Sequence, residues 1–267
     1  MYLNILESSK TYPGWEVVVY HDDTVPPYVL ERFSSKGVTL VNVLELGIAH
    51  WPGTFWRFAA VSMQNANLIC FRDADSIVCN RERVLVDSWQ KSSLPFHIIR
   101  DWYTHSDLIL AGLWGVKAAL LSNLPEWIET YLKNKKKLHA THEDQIFLAE
   151  KVWPIIKDYS LVHDSIHDIE GVVKFENNDL SRDGRDSLGS FLVKKIKLDI
   201  GVKLNDEYEF SIVSNSGEQV CYYIRKLKDG RDEFMIPTKY FENIDSNIWS
   251  MRVNIGSSTF QVNPPSE

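Results

Sequence analysis

The chain has 267 residues, 44% of them hydrophobic, with nine Trp and twelve Phe. That composition excludes global disorder and allows one large domain or a main domain with an appendage. A formal net charge of −7 disfavours a nucleic-acid-binding module, because a polyanion would be repelled on average.

Residues 1–10 read as a helix that leads through the turn Tyr12-Pro-Gly14 into a strand at 15–20. An α/β nucleotide-binding domain normally sets a strand before such a helix, so either the chain is shortened or the sheet does without it. Pro26 and Pro27 open a helix to about residue 35, Gly37 ends it, and 38–43 is a second strand. Residues 54–64 look helical and 68–71 form a third strand. This rhythm predicts parallel pairing through right-handed crossovers.

Asn80 caps a helix over 80–89, and 96–99 is a short strand. Residues 108–115 carry two glycines in an apolar strand, which permits close backbone approach. Helices follow at 125–132 and 143–152, then a last short strand at 160–163. The basic run Lys133-Asn-Lys-Lys-Lys137 suits a solvated helix C-terminus. Residues 176–190 are polar and rich in Gly, Ser and Asp, the composition of a linker. Beyond them, alternating segments at 208–213, 219–224 and 249–255 are separated by the turns Asn215-Ser-Gly217 and Lys228-Asp-Gly230. The expected organisation is therefore a main domain at 1–175, a linker at 176–190 and a small antiparallel β module at 191–267.

Three cysteines (Cys70, Cys79, Cys221) without metal-type spacing suit a reducing compartment. With no signal peptide and no 18-residue apolar run, the expected place is the cytoplasm, with no membrane span.

The chemistry gathers at residues 67–76, Asn-Leu-Ile-Cys-Phe-Arg-Asp-Ala-Asp-Ser. A buried strand would deliver Asp73 and Asp75, spaced i, i+2, together at its carboxyl end. Two carboxylates there repel each other unless a divalent cation sits between them and an anion. Hard oxygen ligands suit Mg²⁺ or Mn²⁺, which keep positions open for substrate phosphates. The phosphatase pattern Asp-x-Asp-x-Thr/Val is not met, since Ile77 holds the fifth position and no Gly-Asp-Gly-x-x-Asp follows.

The order of segments resembles metal-dependent GT-A glycosyltransferases, most closely family 8 with glycogenin and bacterial galactosyltransferases. Thr54-Phe-Trp-Arg-Phe-Ala-Ala60 followed by the Asp73-x-Asp75 strand is similar to that family's helix-plus-strand signature. Ile109-Leu-Ala-Gly-Leu-Trp-Gly115 resembles its strand beside the donor sugar, with Ala111 in place of the usual Asn. Thr141-His-Glu-Asp-Gln145 resembles its Asp-Gln pair, and is also a capping-box-like helix start. Leu161-Val-His-Asp-Ser165 places His163 where the family completes its metal site. The family's Gly-x-x-Lys-Pro-Trp tail is absent.

The resemblance covers residues 12–166 and implies a Rossmann-like α/β domain with a mostly parallel sheet flanked by helices. It implies transfer of a hexose or deoxyhexose from a UDP-sugar to a glycan or glycoconjugate acceptor. The metal, Mn²⁺ or Mg²⁺, falls to Asp73, Asp75 and His163, and the donor to Arg57, Asp73, Gly112 and Gln145. Asp144 would stabilise the transferred sugar in a retaining reaction, the outcome the family order favours. Glu143 or Asp144 would be the base in an inverting one. Asp101 is expected to hold sugar hydroxyls, Trp102 or Tyr103 to stack on a ring, and His105 to be a reserve ligand. Arg72 could instead pair with Asp101, and Arg182, Arg185 or Lys174 would meet the far phosphate. Two other readings stand beside this one. The chain could be a non-catalytic nucleotide-sugar or carbohydrate binder on the same scaffold. Alternatively, the β module could be the active part, through Tyr222, Tyr223, Tyr240 and Trp249.

Overall fold

The computed structural model describes residues 1–117, 120–139, 142–167, 169–175, 188–189, 193–200 and 205–262. The chain divides into two compact units: Met1 with Leu3–Ser190, and Tyr2 with Phe191–Glu267. Of the expected linker at 176–190, only residues 188–189 are described, and Thr141, Arg182 and Arg185 also lie outside the described residues.

In the first unit α1 (Tyr2–Thr11) leads into β1 (Val18–His21), which pairs parallel with β2 (Thr39–Asn42) across α2 (Pro27–Ser34). Pro27 sits in the first turn of α2, where its missing N–H costs nothing. The segment expected to be helical at 54–64 is a 3-10 helix, Gly53–Ser62. It precedes β3 (Leu68–Arg72). After α3 (Asn80–Lys91) come β4 (Phe96–Arg100), β5 (Leu113–Lys117), α4 (Leu124–Asn134), the short α5 (Glu143–Phe147) and α6 (Trp153–Ile156), and β6 (Ser160–Asp164). Asn80 does not cap α3; Cys79 holds the N-cap position, without a side-chain cap.

The mostly parallel, Rossmann-like sheet of the GT-A class is not what forms. The unit holds a parallel pair, β1–β2, and a separate mixed sheet ordered β3-β5-β4-β6. β5 runs antiparallel to both neighbours, and only β4 and β6 pair parallel within that sheet. The cause is the β4–β5 connection. A parallel neighbour needs a crossover, as α3 supplies between β3 and β4, but residues 101–112 form turns without a helix and bring the chain straight back.

Both faces of the mixed sheet are covered. Ile69 and Phe71 of β3 join Ile98, Trp114 and Val116 in a core closed by the 3-10 helix, α4 and the segment 147–156. Phe71 and Trp114 are register partners whose rings stack at 4.4 Å. On the other face, Leu68 and Cys70 pack with Val86 and Trp89 of α3. This alternation fixes the register, because a slip of one residue would exchange the faces.

The second unit contains β7 (Val193–Asp199) antiparallel to β10 (Arg231–Pro237). Its four-stranded antiparallel sheet is ordered β12-β11-β8-β9, from β8 (Glu207–Ser214), β9 (Gln219–Lys226), β11 (Trp249–Ile255) and β12 (Ser258–Val262). A short α7 (Lys239–Asp245) lies between β10 and β11. Tyr208, Phe210, Ile212, Phe234 and Met251 are buried in it. Asp232 accepts from Arg225 at 2.6 and 3.0 Å and from the Tyr208 hydroxyl at 2.7 Å. Among the described residues no helix is long and apolar enough to cross a membrane.

Candidate functional site

Four segments distant in sequence meet at the carboxyl end of β3. Arg57, on the 3-10 helix, donates through one guanidinium nitrogen to Asp73 and to the Arg72 carbonyl. Its other terminal nitrogen donates to Asp144 at 2.6 Å. Gly112, just before β5, lies against the same carboxylate: a Cβ there would stand 2.0 Å from Asp73 Oδ2. Arg57, Asp73, Gly112 and Asp144 therefore form one cluster.

Asp144 opens α5 and is buried, and burial raises its carboxyl above the ordinary value despite the Arg57 guanidinium. Gln145 donates its backbone N–H to Asp144 Oδ1 at 3.0 Å and its side-chain amide to Asp107 at 3.3 Å. Asp75 is exposed, two residues beyond the half-buried Asp73. The loop carrying them is anchored from α1, a connection the sequence did not reveal. Asn4 donates to the Ser76 carbonyl at 2.6 Å and accepts the Val78 N–H at 3.2 Å. Ser76 itself is buried and donates to the Asp73 carbonyl at 3.3 Å.

Three expected site residues are placed elsewhere or are committed to the scaffold. His163 is buried, with Nδ1 2.8 Å from His97 Nε2. Trp89 of α3 stacks on His97 from the other side. Asp73, Asp75 and His163 do not converge, and no three such side chains do among the described residues. Asp101 is fully buried and accepts from Arg81 Nε and Nη2 at 3.0 and 2.6 Å, the Leu188 N–H at 3.0 Å and the Ser165 hydroxyl at 2.8 Å. Burial pushes its carboxyl up, but these donors outweigh it and hold it below the ordinary value. Glu143 accepts from Tyr131 and the His139 N–H and pairs with Lys135 at 3.2 Å. Those partners overcome burial and hold its carboxyl below the ordinary value, which makes it a weak base whose oxygens are already occupied.

Arg72 pairs with buried Glu82 at 2.8 Å, not with Asp101, and Tyr12 donates to the same carboxylate at 2.9 Å. His105 Nδ1 accepts the Asp101 N–H at 3.0 Å. Tyr103 is exposed and in ring contact with Trp102 at 5.1 Å. Lys174 donates to the His167 carbonyl. In the β module Tyr240 is buried, while Tyr223 is partly exposed on β9.

The imidazole pair gives the site's surroundings a defined acid sensitivity. Burial lowers His163 from 6.5 to about 4, and burial with the facing His163 lowers His97 well below its ordinary value. Between pH 6.5 and about 4 the unfolded chain therefore binds protons that the folded chain does not. The stability from the neutral pair is fully present above that window and is lost as pH falls through it. Unfolding free energies from urea titrations at pH 7.5 and at pH 4 should differ by on the order of 2–3 kcal/mol, lower at pH 4, and His97→Phe/His163→Leu should flatten the decline.

No protein-family model, no curated protein and no solved structure matches the chain.

Proposed function

We propose that the chain is a metal-dependent glycosyltransferase that takes a nucleoside diphosphate sugar, first of all a UDP-sugar, and passes a hexose or deoxyhexose to a glycan acceptor. The observation that supports this most is the meeting of Arg57, Asp73, Gly112 and Asp144 at one strand end. In this reading Arg57 sets the two carboxylates, and Gly112 leaves room beside Asp73. Asp144, carrying a raised carboxyl, faces the sugar and either stabilises positive charge on it or takes the acceptor proton.

A cation held by Asp73, Asp75 and His163 together does not fit, because among the described residues these three side chains do not converge. Asp73 and Asp75 alone suit Mg²⁺ or Mn²⁺, which readily draws its remaining ligands from a diphosphate and water. The ion would neutralise the diphosphate and the charge on the leaving group. Cys70, Cys79 and Cys221, present as thiols, agree with a reducing compartment such as the cytoplasm.

The test is UDP release from a panel of UDP-sugars with Mn²⁺. Asp75→Ala should lower it on the order of 100-fold or more. His163→Gln should leave its dependence on Mn²⁺ concentration unchanged. UDP binding with Mn²⁺ but no release from any donor would favour the non-catalytic reading. Release insensitive to Asp75→Ala would remove the proposed site.

A further inference from the structure

β5 runs antiparallel to both β3 and β4, and β6 runs parallel to β4, so β3, β4 and β6 all end at one edge of the mixed sheet. The end of β3 leads into Asp73 and Asp75. The end of β6 carries an aspartate–histidine pair, Asp164 and His167, which the sugar-transfer reading leaves without a role.

Asp164 is fully buried. Its Oδ1 accepts the N–H groups of Ile166 at 2.9 Å and His167 at 2.8 Å. The His167 ring donates through Nδ1 to both carboxylate oxygens, at 3.0 and 3.2 Å. Burial pushes the Asp164 carboxyl up, but these donors outweigh it and hold it below the ordinary value. An anion facing Nδ1 keeps the ring proton there, which leaves the lone pair of the neutral ring on Nε2. The His167 side chain is 30% exposed, and among the described residues nothing bonds its Nε2.

A run of short contacts joins this pair to the cluster at the β3 end. Arg100, the register partner of Asp164, has Nη1 3.7 Å from that carboxylate and donates to the Asp107 and Leu108 carbonyls at 3.0 and 2.6 Å. The Asp107 side chain accepts from Gln145, whose N–H donates to Asp144.

Sugar transfer to a hydroxyl releases a proton that a base must take. Asp144 has one oxygen on Arg57 and the other on the Gln145 N–H. His105 has its Nδ1 lone pair on the Asp101 N–H, and burial lowers the ring, so its proton stays on Nε2 as a donor. His167 Nε2 is open, on a side chain suited to proton transfer near neutral pH.

We propose that His167, oriented by Asp164, is the general base that takes the proton of the acceptor hydroxyl. The inference rests on the proposed sugar transfer. As the acceptor oxygen bonds to the anomeric carbon, its proton passes to His167 Nε2. The bond from that carbon to the diphosphate oxygen breaks, and its electron pair leaves with the diphosphate. Asp164 stays ionised, steadies the imidazolium, and the proton then passes to water. Asp144 is left to stabilise charge on the sugar.

The test measures UDP release from the same UDP-sugars with Mn²⁺, with water as acceptor, in the presence and absence of sodium azide. Azide attacks as an anion and loses no proton, so it bypasses a base but still needs the rest of the site. His167→Gln should lower release to water by about 100-fold, while azide should restore release, as glycosyl azide, to within about threefold of wild type. Asp164→Asn should be rescued in the same way, and Asp75→Ala should lose both reactions. If Asp75→Ala abolishes release but His167→Gln leaves release to water intact, or loses it equally with azide, the base is overturned and sugar transfer stands. No release by the wild type from any donor would overturn sugar transfer and this role with it. A long-range ¹H–¹⁵N spectrum at about pH 8 reads the pair without turnover: Nδ1 of His167 should be protonated and Nε2 bare, and the reverse tautomer would overturn the proposal.

Discussion

Asp101→Ala is expected to lower the unfolding free energy by about 3–5 kcal/mol, read as a shift of the urea midpoint and a fall in Tm of roughly 10 °C. The carboxylate is fully buried, and Arg81 holds it with two hydrogen bonds while its own side chain is 6% exposed. Removing the anion leaves a guanidinium without its countercharge in a low-dielectric interior. The Leu188 N–H and the Ser165 hydroxyl lose the same acceptor. Arg81→Ala should do comparable damage from the other side, but Arg81→Leu/Asp101→Leu should recover much of the loss, since apolar replacement of a whole buried pair is often neutral. A residue that held sugar hydroxyls would behave differently. Its removal would raise KM at nearly unchanged Tm.

Asp101 illustrates what one sequence can convey. Its place at the end of β4 was legible, because apolar runs mark strands and strand ends collect polar chemistry. Its partner was not, since nothing about Arg81 twenty residues earlier says that α3 turns it under the β4 end. The same holds for His163. The available signal was His97, a lone imidazole in the buried run Phe96-His-Ile-Ile, which has to find a polar partner. Parallel β4–β6 pairing supplies it, and that pairing is a long-range fact.

The rhythm of strands and helices in the first unit was readable for the same local reason that its strand order was not. Periodicity reports which residues are buried, whereas the direction of β5 depends on whether residues 101–112 make a helix. In the second unit β7 and β10 escaped notice because charge masks their alternation. Ile196, Phe234 and Ile236 are buried between Lys195, Lys197, Asp232 and Glu233. By contrast Arg57, Asp73, Gly112 and Asp144 were named from motif order alone, and the fold gathers them.

On the proposed function, Gly112→Ala should lower UDP release from a UDP-sugar by about 100-fold or more, while costing only about 1–3 kcal/mol of stability. The added Cβ would lie 2.0 Å from Asp73 Oδ2, 2.5 Å from its Cγ and 3.0 Å from its backbone nitrogen. The first two contacts are relieved by rotating the carboxylate, but rotation removes it from Arg57, which then keeps Asp144 as its one carboxylate partner beside the Arg72 carbonyl. The third involves backbone, so β3 and the start of β5 must also part by some tenths of an ångström. Gly112 has no positive φ to lose, and the whole effect therefore passes through Asp73. A second substitution separates the two costs. Gly112→Ala/Asp73→Ser shortens the opposing side chain and should return the urea midpoint towards wild type while leaving UDP release low. If the double variant restored turnover as well, the Asp73 carboxylate would be dispensable, and the cluster at the β3 end would be scaffold alone.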